Sequence, residues 1–348
     1  MSPPQPTIKA VAKVAGVSAA TVSRVINGTA QVQAAKVERV HQAMLQLGYR
    51  LPYLSAQKNA QHNKSTIGVL LPSLQEEACA TLAHHLQRRL HEMGHQMICL
   101  VGNDDPQLET EALQTFQHQS LGGCVVFPRA LSDESLLCQM PTHLPTLLLH
   151  RHLPEWNDKS LNFNHEKAGT LATEHLLERG HTRIAHITGP MSSDHTLGRY
   201  TGYIKALQQA GLGVDPALVF AGNARTFDVQ QGEILTQRLL GTTHFTAIFA
   251  YNDWMAVGAM RAIRNRGLRV PEDVSVVGVG NFMVSQFCEP TLTTVHFPVR
   301  DLAQAAVDQM IRLLHGSALV PIPLISGHLE ARGSSGLVRM VETTPLQT

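Results

Sequence analysis

Negative charge is almost missing from the start of this chain. Through residue 63, Glu38 is the only acid, against Lys9, Lys13, Arg24, Lys36, Arg39, Arg50 and Lys58, a net charge of +6. The whole chain carries +1, so the remainder stands at −5. A basic head on a mildly acidic body fits contact with a phosphate backbone by the head alone. Long apolar runs are missing too. No stretch approaches the length of a membrane span, and the first twenty residues lack the basic-then-apolar order of a signal peptide. A cytoplasmic protein with no membrane partner is expected. Cys79, Cys99, Cys124, Cys138 and Cys288 are scattered, odd in number and form no Cys-x-x-Cys pair. Reduced, mostly buried thiols follow, not a disulfide framework. There is no Gly-x-Ser-x-Gly, no phosphate-binding glycine loop and no placeable carboxylate pair, so neither an enzyme nor a cofactor is expected.

The 19 histidines invite a metal reading. His84, His85, His91 and His95 fall along one predicted helix, and His91 with His95 has ligand spacing. No cysteine or carboxylate cluster completes a set, so scattered surface histidines and no metal site are expected.

The richest stretch is Thr7–Asn27. Thr7 can cap a first helix, in which Ile8, Val11, Ala12 and Ala15 share a face. Gly16 suits a turn at positive φ. Ser18 caps a second helix with Val22, Val25 and Ile26 on its apolar side. Ala19, Ala20, Thr21, Ser23 and Arg24 lie opposite. This is a helix-turn-helix whose second helix has the small, polar and basic face that enters a DNA major groove. A third helix is expected over about Ala34–Leu47, stopped by Gly48. The polar stretch Tyr49–Asn63 reads as a linker that becomes helical when docked.

From Ser65 short apolar strands alternate with helices. Strands are expected at Thr66–Leu71, Gln96–Val101, Gly122–Phe127 and Pro145–His150. After a crossing near Leu161–Asn164 they recur at Arg183–Thr188, Ala247–Ala250 and Val274–Val279. Helices are expected between them, including about His165–Arg179, Leu197–Ala210 and Asp253–Arg266, with a last one over about Val299–Leu314. Two successive parallel α/β sets imply two similar subdomains with a cleft between them. Ligands then bind where strands end.

Several motifs together resemble the LacI/GalR family of bacterial transcription regulators. They are Thr7–Asn27, Glu174–Ala185, Arg199-Tyr-Thr-Gly-Tyr203, Phe245–Met260, Gly267–Gly278 and Pro290–Val295. The galactose-repressor branch looks most similar. The resemblance implies a small all-α helix-turn-helix head and an α/β core of two Rossmann-like subdomains, like periplasmic binding proteins. Expected boundaries are 1–48 for the head, 49–64 for the hinge and 65–340 for the core. Within the core the N-subdomain takes about 65–162 and 296–322, and the C-subdomain about 163–295 and 323–340. The implied partners are a pseudo-palindromic double-stranded operator, a carbohydrate effector and a second copy of the chain. A metal-responsive or a purine-type co-repressed regulator is the alternative.

By that resemblance Arg24 is the base reader, since a guanidinium bonds guanine bidentately. Ala19 and Ala20 offer methyl contacts. Thr21, Ser23 and Lys36 touch phosphates. Thr7, Ser18 and Asn27 complete the set. In the hinge the family wedges a leucine into the minor groove. Here Asn59 falls at that position, and Leu54 is the apolar side chain nearby. For the effector, the resemblance assigns Arg199 as the sugar-binding arginine and Phe227 as an aromatic platform. Asn252 and Asp253 follow one strand, Asn281 another; His150 and Arg151 end a third, and Arg129 a fourth. With carboxylates replaced and Arg129, Arg151 and Arg199 near His150, the pocket is expected to favour an anionic sugar derivative, a neutral hexose being the family default.

Overall fold

The computed structural model describes residues 7–27, 32–47, 49, 66–141, 143–191, 193–222, 228–321 and 323–339. The chain forms two compact units, Met1–His62 and Asn63–Thr348.

The first unit holds α1 (Ile8–Ala15), α2 (Ala19–Asn27) and α3 (Ala34–Leu47). The Thr7 hydroxyl accepts from the Ala10 amide at 3.3 Å, and Gly16 ends α1 with φ 62°. Ser18 Oγ accepts from the Thr21 amide at 3.1 Å, which starts α2. Val11, Ala12, Ala15, Val22, Val40, Ala43 and Tyr49 form the core. So small a core is marginal alone, and both caps contribute about 1 kcal/mol each.

The second unit contains two sheets. β1 (Thr66–Leu71), β2 (Gln96–Val101), β3 (Gly123–Val126), β4 (Thr146–Leu149) and β5 (Ser160–Leu161) order as β2-β1-β3-β4-β5, all parallel. Its central strands β1, β3 and β4 are buried along their whole length because both faces are covered. One face takes α4 (Glu77–Glu92) through Leu82, Leu86 and Leu90. The other takes α5 (Pro106–His118) and α6 (Asp133–Gln139) through Leu113, Phe116 and Leu136.

The second sheet comprises β6 (Ile184–Thr188), β7 (Val219–Ala221), β8 (Ala247–Ala250), β9 (Ser275–Gly280), β10 (Thr293–His296) and β11 (Leu329–Glu330). Their order is β11-β10-β9-β8-β6-β7, with β11 antiparallel at the edge. Helices α7 (His165–Glu178) and α8 (Asp194–Gln209) cover one face; α9 (Val229–Thr242) and α10 (Asp253–Asn265) cover the other. A short α11 (Met283–Phe287) follows β9, and α12 (Val299–Leu314) returns to the first sheet beside α4. Glycine sets the α7–α8 approach: a Cβ at Gly169 would strike the Arg199 carbonyl, and one at Gly202 the Glu166 carbonyl. Two residues later chosen by function, His165 and Arg199, are thereby held by close-packed backbone.

Two expectations change. The sequence pattern assigns no element between Ala210 and Ala247, yet β7 and α9 lie there, α9 capped by Asp228 on the Gln231 amide at 2.9 Å. Helix α8 begins at Asp194, not near Leu197, because the apolar periodicity starts a turn later than the helix. Among the described residues no helix is long and apolar enough to cross a membrane.

Candidate functional site

On the first unit, α2 presents Ala19, Ala20 and Arg24 to solvent, with Thr21 and Ser23 half-buried. Lys36 is exposed at the start of α3. Thr7 and Ser18 spend their hydroxyls on the helix caps described above. Asn27 closes α2. Leu54 and Asn59 lie outside the described residues, as does Phe227.

In the second unit, the carboxyl ends of β3, β4, β8 and β9 converge on a cleft of two adjoining chambers, about 490 Å³ and 430 Å³. Both share Asp104, Phe127, Arg129, His150, His195 and Tyr251. This is the size of an ordinary small-molecule site.

Arg199 is the most consequential cation here. It is 7% exposed and lines the cleft. Its Nη1 donates to the Tyr251 carbonyl, and its guanidinium lies 4.3 Å from the centre of the Tyr251 ring. Its Nε, itself buried, has no hydrogen-bond partner among the described residues. Burial lowers its pKa, with Tyr251 and Asp253 opposing. No carboxylate forms an ion pair with it among the described residues, so a buried charge stands short of acceptors, a costly state.

The other two arginines differ, and the expected surplus of positive charge is corrected. Arg129 is chelated: Nε and Nη2 reach Asp104 at 2.5 and 2.7 Å, while Nη1 and Nη2 reach Glu76 at 3.0 and 2.5 Å. Arg151 holds Asp133 through Nε at 2.7 Å and Nη2 at 2.5 Å. Both charges are therefore satisfied by carboxylates 18 to 53 residues away in sequence. Buried Glu109 shapes the loop that carries Arg129, accepting from the amides of Arg129, Ala130 and Leu131 at 2.7, 3.0 and 2.9 Å.

Three remaining candidates take structural partners. Asn252 caps α10, accepting from the Met255 amide at 2.8 Å, while lining the cleft. Asp253 is fully buried and accepts from the Phe282 amide at 2.8 Å and the Thr294 hydroxyl at 2.5 Å. Burial pushes its pKa up to about 6. It thus fixes the loop after β9 and lines neither chamber. Asn281, at φ 56°, bonds Arg332 Nη2 through Oδ1 at 2.5 Å and meets His296 Nδ1 at 3.3 Å, likewise off the chamber walls.

His150 sits at φ 56°, a region non-glycine residues seldom occupy and that clusters at functional sites. Its ring lies 4.6 Å from Phe127 and 5.4 Å from His195. His165 stacks on His195 at 4.3 Å. Sequence reasoning missed His165, His195, Asp104, Glu76 and the exposed cleft aromatic Trp254. One signal was available: His195 stands four residues before Arg199, on the same helical face. The acids had none, since only the fold brings them to Arg129.

Comparisons with known proteins agree with this architecture. A family profile described as "Bacterial regulatory proteins, lacI family" matches residues 7–51, and one described as "Periplasmic binding protein-like domain" matches 173–335. The chain is 32% identical to the HTH-type transcriptional regulator AscG of Escherichia coli (strain K12) over 332 residues, 94% of this chain and 98% of that protein. Among solved structures, the lac repressor dimer bound to operator and an anti-inducer aligns at TM-score 0.74 and 31% identity. It covers 96% of this chain and 100% of its own. A complex of the transcriptional regulator CelR with cellobiose aligns at TM-score 0.71 and 30% identity, covering 95% and 100%.

Proposed function

This chain belongs to the LacI family and is a DNA-binding transcriptional regulator; from that premise we propose that it is a homodimeric repressor whose hold on a pseudo-palindromic operator is controlled by a carbohydrate in the cleft around Arg199. The observation that carries the effector reading is Arg199 itself, a buried guanidinium on the cleft wall with an unused donor. A guanidinium donates to neighbouring hydroxyl oxygens in a fixed fork. Asp104 and Glu76 supply acceptors for ligand O–H groups, and Phe127 and Trp254 supply apolar faces. Arg129 is outnumbered by its two acids and Arg151 is matched by Asp133, so among the described lining residues the arginine charge beyond that of Arg199 is neutralised. This balance favours a neutral polyhydroxyl ligand over the anionic derivative expected from counting arginines. The cellobiose bound to a structurally similar regulator supports the same class.

The chamber walls come from both sheets. Met283 on α11 donates its amide to Glu77 on α4 at 2.7 Å, and His195 Nε2 meets the His150 carbonyl at 3.3 Å, so hydrogen bonds already join the two halves. A ligand that touches Arg199 on one wall and Asp104 on the other favours the closed arrangement, and it shifts the equilibrium by its difference in affinity for the two states. On the head, Arg24 reads a base edge, and Lys36 contacts phosphate. The cytoplasm is the compartment this reading requires.

Selection of operators from random duplex DNA, followed by fluorescence anisotropy with glucose, galactose and cellobiose, tests this reading. The expected result is a two-half-site sequence whose affinity changes at least tenfold with one of the neutral sugars. Arg24→Ala weakens that operator by about 1–3 kcal/mol and relaxes one base position. Operator binding that ignores neutral sugars yet responds to sugar phosphates would refute the effector class.

A further inference from the structure

We propose that His150, His165 and His195 form a binding site for a divalent transition ion of the Zn²⁺ class, built across the two walls of the cleft. Among the described residues these three bring ligand nitrogens within 4.8 Å of one another. They come from three elements: His150 follows β4 of the first sheet, His165 opens α7, and His195 stands in the first turn of α8. No sequence spacing announces them, which is why the pair His91 and His95, with ligand spacing, draws attention first.

The nitrogens are largely unspent. Among the described residues, His150 Nδ1 and both ring nitrogens of His165 have no hydrogen-bond partner. His195 Nε2 meets the His150 carbonyl at 3.3 Å. A carbonyl only accepts, so that contact keeps Nε2 protonated and leaves Nδ1 with the free lone pair. A metal-bound imidazole commonly carries just such a carbonyl on its other nitrogen. Phe127 and Phe297 flank His150, at 4.6 and 5.5 Å between ring centres, and restrict where that ring can turn.

Three imidazoles with no carboxylate suit Zn²⁺, Co²⁺ or Ni²⁺ better than Mg²⁺ or Ca²⁺, which take oxygen. Ligand nitrogens of a tetrahedral zinc site lie roughly 3.4 Å apart, from Zn–N distances of about 2.0–2.1 Å. The rings must therefore draw together by about an ångström. Because His150 belongs to one wall and His165 with His195 to the other, the approach of His150 is a closing of the cleft, while His165 and His195, stacked at 4.3 Å on the same wall, must also turn so that their ring-plane lone pairs converge. Three protein ligands leave a fourth position for water or a ligand hydroxyl. The ion thus acts as a second input to the closed state, and the site stands whether or not the organic ligand is a carbohydrate.

The test uses tag-free full-length protein titrated with Co²⁺, followed by visible absorption and calorimetry, with Zn²⁺ as competitor. The expected result is one strong site with a tetrahedral Co²⁺ spectrum. Its affinity falls by more than roughly a hundredfold in His165→Gln and in His195→Gln, and is unchanged in His91→Gln/His95→Gln. Losing a ligand exceeds the ten- to hundredfold cost of losing an outer partner. Should either variant fail to fold, X-ray absorption of the zinc-loaded wild type decides, since three imidazole ligands are required. No tetrahedral spectrum, or a spectrum that survives both substitutions, would overturn the site and mark the trio as cleft packing. Titration of the same samples with cellobiose, galactose and glucose separates the two readings. Sugar binding without the cobalt site leaves the carbohydrate reading intact, and the converse leaves this one.

Discussion

The two walls of the cleft handle positive charge in opposite ways. On the first-sheet wall, Arg129 and Arg151 are bound to Asp104, Glu76 and Asp133. On the second-sheet wall, Arg199 is buried deeper, has a carbonyl and a ring as partners, and keeps Nε unused. The first arrangement builds a rigid, near-neutral surface. The second leaves a buried guanidinium without a carboxylate among the described residues. Residue type alone does not separate them; the location of the nearest carboxylate does.

The comparison breaks most severely at Glu109. This carboxylate is fully buried and accepts three amides of the loop bearing Arg129. Glu109→Ala strands those donors, at a cost of about 4 kcal/mol. Thermal unfolding should fall by roughly 10 °C for a domain of this size, and sugar affinity should fall with it. A melting temperature near wild type would show that the loop does not depend on Glu109.

The next effect belongs to a histidine in the core beneath the second sheet. His186 in β6 is fully buried, stacked on Phe249 at 4.4 Å, with Nδ1 at 2.9 Å from the Phe249 carbonyl. Burial lowers its pKa to about 4. The unfolded chain binds its proton near pH 6.5, so the stability held by the neutral ring is complete above that pH. It drains away as pH falls through 6.5 toward 4. Between pH 7.5 and 5 the wild type should lose about 2 kcal/mol more than His186→Gln in urea titrations. Parallel curves for the two proteins would remove this role.

Freeing a tied arginine sharpens the contrast further. In Asp104→Asn/Glu76→Gln, Arg129 loses both charged partners, and the first wall comes to resemble the second. Affinity for sugar phosphates should then rise about tenfold, or ~1.4 kcal/mol, against a wild type expected to prefer neutral sugars in calorimetry. The smallest effect belongs to Arg151→Ala. Its partner Asp133 is 61% exposed, so stability should change by less than about 1 kcal/mol.

Much of the fold was legible because its signals are local. Helix α3 and strand β2 have the bounds that periodicity predicts, and Thr7, Gly16 and Ser18 punctuate the head as their chemistry requires. Helix α9 escaped because its buried face includes Gly232, Glu233 and Thr236 beside Leu235 and Leu239, which blurs the apolar stripe, and Asp228 is a cap with little around it to announce a start. In the cleft, Arg199 and His150 were legible as residues next to strand ends or in a motif. Their meaning depended on partners placed by the tertiary fold. Asp104 is 25 residues from Arg129, and Glu76 is 53. His195 fell outside the expected helix by two residues, which hid its place beside Arg199.

The account rests on Arg199 as the anchor for a neutral sugar, and one measurement addresses it most directly. Wild type and Arg199→Met are screened by thermal shift against neutral sugars and the matching sugar phosphates, since a ligand of the native state raises its melting temperature. The account predicts a rise with at least one neutral sugar in the wild type. That rise should be absent in Arg199→Met, whose affinity is lower by about a hundredfold or more. An undiminished neutral-sugar shift in Arg199→Met, or a wild-type response confined to sugar phosphates, would contradict it.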